Sequence, residues 1–235
     1  MALGMLTLAV DTSNSFGSLA LLRDGALLAV LPMRSDEGFS SVLFRDLSVL
    51  LAQSGLGLPE IDLYAVNAGP GSFTGLRVGL TAVKAWAEAC EKPIAAVGGL
   101  EAVAAQQPYA EGWLVPILDA RRGQIYAGIY RRTPDGLERN GEECVMTPAE
   151  FLSALADADL SPPPILVTPH PDVLHEALSQ SPFANCALEV VSPVLAPWIG
   201  QRGLIQFSEG TCVDALLLEA RYIRRSDAEV NGPRT

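Results

Sequence analysis

The sequence predicts an α/β fold built twice, as two similar domains of the order strand, strand, strand, helix, strand, helix, strand, helix. Three observations carry that reading. Apolar runs of strand length alternate with stretches whose apolar residues recur at helical spacing. The element order restarts near residue 111 and runs through nearly the same series again. The first strand of each half ends in an aspartate, Asp11 in "DTS" and Asp119 in "DARRG". The halves match in order and not in sequence. Domains are therefore expected at 1–110 and 111–235, each of about 100 residues, with a cleft between them.

"LTLAVDTS" reads as a buried strand ending in polar residues. "GSLALLRDGALLAVL" is two strands around Asp24-Gly25, a tight-hairpin signal because such turns need positive φ. "SSVLFRDLSVLLAQSG" places Val42, Leu43, Leu47, Leu50 and Leu51 on one helical stripe, with Gly55 as C-cap. "IDLYAVNAG" is a strand. "NAGPGSFTGLRVGL" is a glycine-rich turn opening a helix that runs to about Cys90. "KPIAAVGG" is a strand and "LEAVAAQQ" a short helix. The second half begins with three strands, "WLVPILDARRG", "QIYAGIYRR" and "LERNGEECVM". Thr147 as N-cap, Pro148 behind it and Glu150 at N3 form a capping box that starts the next helix. "PPPILVTP", "PDVLHEALSQ" and "ALEVV" read as strand, helix and strand. Two helices are expected to follow, from about Ala196 and Val213.

Hydrophobic residues make up 49% of the chain and charged ones 18%, a balance that builds a core and excludes a disordered chain. No apolar run approaches the ~20 residues of a membrane helix. "MALGMLTLAV" lacks a basic n-region and a small-residue cleavage site, so it reads as the first strand and not a signal peptide. Cys90, Cys144, Cys186 and Cys212 are far apart with no CxxC, which argues against a disulfide framework or a zinc knuckle and for a reducing, cytoplasmic setting. His170 and His175 lie five apart, off the spacing of a helical metal pair, and read as surface histidines near a helix start. A net charge of −11 opposes unaided binding to a phosphate backbone. Arg121-Arg122, Arg131-Arg132 and Arg221 with Arg224-Arg225 read as solvated surface, so a role in RNA chemistry needs a basic partner.

The glycines of "NAGPGSFTGLRVGL" fit no phosphate motif. A P-loop needs lysine after its last glycine, and Leu76 follows Gly75. Gly69, Gly71 and Gly75 are spaced one residue too long for a dinucleotide loop, and Ser72 lacks the GxSxG frame. Along the helix, Leu76, Leu80, Val83 and Ala87 form an apolar stripe, while Gly71, Gly75 and Gly79 form a bare one extended by Ala82 and Trp86. Glycine inside a helix costs about 1 kcal/mol against alanine, so a bare stripe implies close approach of a neighbour. That neighbour is either the helix at Ser41–Ser54 or a helix of another chain. Arg77 lies on neither stripe and suits a carboxylate or phosphate.

Paired acidic loops facing one cleft resemble those with which the ASKHA superfamily (actin, Hsp70 and sugar kinases) holds nucleotide phosphates and Mg²⁺. Asp11, Thr12, Ser13, Asp119 and Arg121 then stand at relict phosphate-loop positions. The superfamily places glycine beside both aspartates and a glycine pair before a late helix. Here the loops read "DTSNSFGS" and "DARRGQ", and the late turn "SPVLAPWIG". Backbone N–H groups need bare glycine to approach phosphate closely, so ATP held in the superfamily manner is not expected.

"NAGPGSFTGLRVGL", "DTSNSFGSLAL", "DARRGQIYAGIY" and "ARYIRRSDAE" resemble the TsaB (YeaZ) family, with matches running from the first strand to Glu229. Members of that family support threonylcarbamoyladenosine formation in tRNA, next to the anticodon. The resemblance implies an ASKHA-like fold whose second domain is degenerate, with no catalysis, cofactor or metal of its own. A TsaD-like transferase carries the chemistry, holding its metal with an HxxxH pair that is absent here. The resemblance also implies pairing with that transferase through helices of the N-terminal domain, with Gly71, Ser72, Phe73, Thr74, Gly75, Arg77, Val78 and Gly79 at the interface. A homodimer uses the same helices, a TsaE-like P-loop ATPase joins the assembly, tRNA is met only indirectly, and no membrane is involved. The family commonly carries histidine and glutamate where Ser35–Ser41 reads "SDEGFSS", and glutamate at Gln124, so no chemical role is carried over to those positions.

Two other readings compete. An independent ATPase or small-molecule kinase of the same fold would use Asp11 on Mg²⁺ or as base, with Asp119 on the metal. A peptidase would need Ser13, Ser15 or Ser72 as nucleophile, but both histidines lie in the second half and no Ser-His-Asp set assembles. Whether the chain alone is a monomer or a homodimer is open at this level.

Overall fold

A computed structural model describes residues 4–34, 38–108 and 111–223. The first sheet contains β1 (Leu6–Asp11), β2 (Phe16–Arg23), β3 (Ala26–Arg34), β4 (Leu63–Gly69) and β5 (Ile94–Gly98), in the order β3-β2-β1-β4-β5. The β1–β2 and β2–β3 pairs are antiparallel, and β1–β4 and β4–β5 are parallel. Asp24 and Gly25, at φ 50° and 80°, make the two-residue turn between β2 and β3 that the sequence signals. The second sheet contains β6 (Gly112–Asp119), β7 (Ile125–Thr133), β8 (Gly136–Met146), β9 (Ile165–Thr168) and β10 (Leu188–Val190), in the order β10-β9-β6-β7-β8. Read from its other edge, this is the first sheet again, with β6 in the place of β1 and the same pattern of parallel and antiparallel pairs. The duplicated α/β fold expected of an ASKHA protein is therefore present.

In the first unit, α1 (Leu43–Ser54) and α2 (Phe73–Cys90) cover one face of the sheet. Leu8, Val10, Leu19, Leu21, Tyr64 and Val66 point to them and form the main core with Leu47, Leu50, Leu76 and Val83. The alternate residues, among them Ala9, Leu22, Ala65 and Ala95, face α6 (Ala196–Ser208), against which α3 (Gly99–Ala105) also packs. A Cβ on Gly203 would come within 2.7 Å of the Ala65 methyl, and one on Gly200 would overlap Leu22. These two glycines let α6 lie directly on the sheet, and the Ser18 hydroxyl accepts the Ala196 N–H at 3.0 Å to fix where the helix starts. In the second unit, α4 (Pro148–Asp157) and α5 (His175–Ser179) supply Phe151, Leu152, Leu155 and Leu178 to a core with Val115, Ile117, Ile125 and Leu166. Among the described residues no helix is long and apolar enough to cross a membrane.

The expected domains need correction. One compact unit comprises the described residues of Met1–Gln106 and Ser192–Arg221, and the other those of Gln107–Val191 and from Tyr222 on. The helix α6 returns to the first sheet, where Gly200 and Gly203 pack against Ala9, Leu22, Ala65 and Ala95. The two crossings are tied together. The Gln106 side chain donates to the Ser192 carbonyl and accepts the Ser192 N–H, both at 3.0 Å.

Two expected helices also differ. The helix at 171–180 splits into a 3-10 turn at Pro171–Val173 and the short α5. No helix starts at Val213. Val213 instead exchanges both backbone hydrogen bonds with Ile94, at 2.9 and 2.8 Å, and the Asp214 carboxylate accepts the Leu216 and Leu217 N–H groups. That local turn competes with a helix for the same donors. The capping box is formed, with Glu150 N–H donating to Thr147 Oγ1 at 3.3 Å and Thr147 N–H to Glu150 Oε2 at 2.9 Å. Thr147→Ala is expected to lower stability by about 1 kcal/mol in urea unfolding.

Candidate functional site

The bare stripe of α2 has an occupant within its own unit. A Cβ on Gly71 would lie 2.6 Å from Ser13 Cβ, one on Gly75 would overlap the Thr12 carbonyl oxygen, and one on Gly79 would lie 2.5 Å from Thr12 Oγ1. The loop after β1 therefore runs along the glycines at backbone contact. Neither of the two neighbours expected from the sequence, the helix at 41–54 or another chain, takes this stripe. Gly75 and Gly79 are buried against this loop. Of the other expected interface positions, Ser72, Thr74 and Arg77 are exposed, and Gly71, Phe73 and Val78 half-buried. Ser72 is the N-cap, its hydroxyl accepting the Gly75 N–H. The Arg77 guanidinium stacks 3.7 Å over the Phe73 ring.

The outward stripe of α2 is Thr74, Val78, Thr81, Ala85 and Glu88, spaced three and four apart. Beside it, α1 leaves Phe44 57% and Val49 41% exposed. Phe44 meets Trp86 of α2 edge-to-face, ring centroids 5.9 Å apart. The sequence reading passed over Phe44, although an apolar residue off the buried stripe of an amphipathic helix is the available signal.

At the strand ends, Asp11, Thr12, Ser13 and Asn67 are all buried. Asp11 Oδ1 accepts the Ser13 N–H and the Asn67 side-chain N–H, each at 3.0 Å, and Asn67 also donates to Ser13 Oγ at 2.9 Å. Asn67 Oδ1 accepts the Gly69 N–H. Asp11 Oδ2 is buried with no partner among the described residues. Burial pushes the Asp11 carboxyl up, against the lowering effect of its bonds to Ser13 and Asn67. Asn67 was not singled out from the sequence; its signal is an amide inside an otherwise apolar strand.

The second unit repeats the turn without the burial. Asp119 Oδ1 accepts the Arg121 N–H at 2.7 Å, and Oδ2 pairs with the Arg121 guanidinium at 3.5 Å. Arg121, Arg122 and Gly123 all have left-handed backbone, with φ of 62°, 55° and 71°. His170 is half-buried, and burial pushes its imidazole down while Asp119 opposes this. Among the described residues no three of His, Cys, Asp and Glu converge as metal ligands.

These residues do not fit the nucleotide and metal that the fold family implies. The Ser13 N–H, a donor such a loop would offer to phosphate, is spent on Asp11. The carbonyls of Thr12 and Ser13 turn to α2, and Asp119 is engaged by its own Arg121. Ser13 and Ser72 are held in structural bonds, and Ser35, Asp36 and Glu37 of the "SDEGFSS" segment lie outside the described residues.

Residues 29–168 match the family model for TsaD, tRNA N6-adenosine threonylcarbamoyltransferase. The tRNA threonylcarbamoyladenosine biosynthesis protein TsaB of Bacillus subtilis is 33% identical over 174 residues, covering 74% of this chain and 75% of that protein. TsaB of Escherichia coli is 32% identical over 147 residues, covering 61% of this chain and 63% of that protein. The solved structure of YeaZ from Pseudomonas aeruginosa superposes with a TM-score of 0.74 at 24% identity, covering 93% of this chain and 99% of that one. With its duplicated sheets and the glycine-rich start of α2 accounted for, the chain belongs to the TsaB (YeaZ) family.

Proposed function

We propose that this chain is a non-catalytic subunit that docks a TsaD-like transferase and thereby supports threonylcarbamoyladenosine formation on tRNA, next to the anticodon. The observation that carries the docking is the outer face of α1 and α2. Phe44 stands exposed beside the outward row of Thr74, Val78, Thr81 and Ala85, with Arg77 and Glu88 the charged residues exposed on the same helix. A row of small side chains next to one aromatic anchor suits a partner helix. The same face serves self-pairing when the transferase is absent. A TsaE-like ATPase and the tRNA join through the assembly, since the acidic chain itself repels a phosphate backbone. The work of the chain is cytoplasmic.

Two measurements test this. Size-exclusion chromatography with light scattering, on the chain mixed with the TsaD-like protein of its own genome, should show a heterodimer. Mass spectrometry of tRNA nucleosides from a strain lacking the chain should show threonylcarbamoyladenosine lost; normal levels would sink the proposal. The reading as an independent ATPase is disfavoured by the closed Asp11 site, and measurable ATP·Mg binding to the isolated chain would revive it.

A further inference from the structure

The N-terminal half of α2 carries the outward residues Thr74 and Val78 together with both glycines of that helix. Gly75 and Gly79 lie inside it, and glycine is among the poorest helix formers. Its order must come from outside the helix, and the contacts are specific. Thr12 Oγ1 donates to the Gly75 carbonyl at 2.8 Å in a buried bond. The Ser72 N–H donates to the Ser13 carbonyl at 2.7 Å. Ser13, the residue after Thr12, is in turn held by Asp11 and Asn67, which tie the ends of β1 and β4 together. A continuous path of buried hydrogen bonds thus runs from the two central strands to the first turn of α2.

We propose that Asp11, Thr12 and Asn67 are positioning residues, which hold the first turn of α2 in the placement its outward face needs to dock the transferase. This rests on the docking reading above. The polar groups of this loop are directed inward to a helix start. The network also carries a charge condition. Asp11 Oδ1 has two donors, while Oδ2 is buried with none, and the side chains bonded to the carboxyl, Ser13 and Asn67, are uncharged. Burial raises its pKa above the ordinary 3.8. The sign follows: the contribution of Asp11 to stability is complete below the ordinary value and is lost as pH rises through the raised one. Docking should therefore weaken as pH rises above 3.8 through that raised value, together with the order of the first turn of α2.

The test is titration calorimetry of the TsaD-like protein of the same genome into wild type, Thr12→Val, Thr12→Ser and Asp11→Asn, at acidic and alkaline pH. Hydrogen exchange of each free chain is followed in parallel. Thr12→Val keeps the shape and removes one buried bond, so affinity should fall about five- to tenfold, with faster exchange at 73–79 and unchanged exchange in β1 and β4. Thr12→Ser, which keeps the hydroxyl, should restore affinity to within about twofold. Asp11→Asn cannot ionise and should flatten the pH dependence. Wild type that binds while Thr12→Val binds as tightly, with unchanged exchange in α2, overturns the positioning role alone. Wild type that does not bind at either pH overturns the docking reading, and the proposal with it.

Discussion

Gly75→Ala is expected to destabilise the chain by about 3 kcal/mol or more, opposite in sign to helix propensity. Alanine at a helical position is worth about 1 kcal/mol over glycine. At Gly75 that gain is outweighed because the new methyl would sit on the Thr12 carbonyl oxygen, a backbone atom held by its own loop and by Asn67 through Ser13. A flexible side chain would swing aside; a carbonyl in a buried loop cannot. The melting temperature should fall by about 6–12 °C in calorimetry. Thr81→Ala, on the exposed side of the same helix, should change it by about 1 °C or less. Equal effects from the two substitutions would show that the glycine stripe is not packed as described.

The second large effect is on association. Phe44→Asp is expected to weaken binding to the TsaD-like transferase by about 100-fold or more, because it removes the aromatic anchor and puts a negative charge beside the small side chains of α2. The fold should survive, since Phe44 is 57% exposed and contributes only an edge contact to Trp86. Light scattering of the mixture should then show separate species, with the circular dichroism of the mutant unchanged. The same substitution should break any homodimer of the isolated chain. A heterodimer that forms at wild-type affinity would move the docking surface away from α1 and α2.

Most of the architecture is legible from local pattern. The buried strands, the Asp24-Gly25 turn, the Leu47–Leu50–Leu51 stripe and the Thr147–Glu150 box are each set by residues within a few positions, and each forms as read. What pattern does not specify is which distant surface meets which. The glycines of α2 announce a close neighbour, but whether that neighbour is Thr12 or a second molecule depends on β1 and β4 lying side by side. In the same way, Gly200 and Gly203 fit either sheet by sequence, and only the small residues at Ala9, Ala65 and Ala95 decide for the first. Asn67 is ambiguous until Asp11 is seen opposite it. Val213 offers a helical stripe, and a strand partner at Ile94 with an Asp214 turn wins instead.

The return of α6 to the first sheet has a consequence in time. On the ribosome, residues 107–191 emerge before the helix that covers Leu22, Ala65 and Ala95, so that face of the first sheet stays open to water throughout their synthesis. The second unit has all its strands by then and is free to fold while the first still waits. The amide clasp of Gln106 on Ser192 brings the two ends of the intervening chain together when α6 arrives, which makes residues 107–191 a closed insert in an otherwise continuous unit. Completion of the first unit is thereby delayed until the last of its helices has been made.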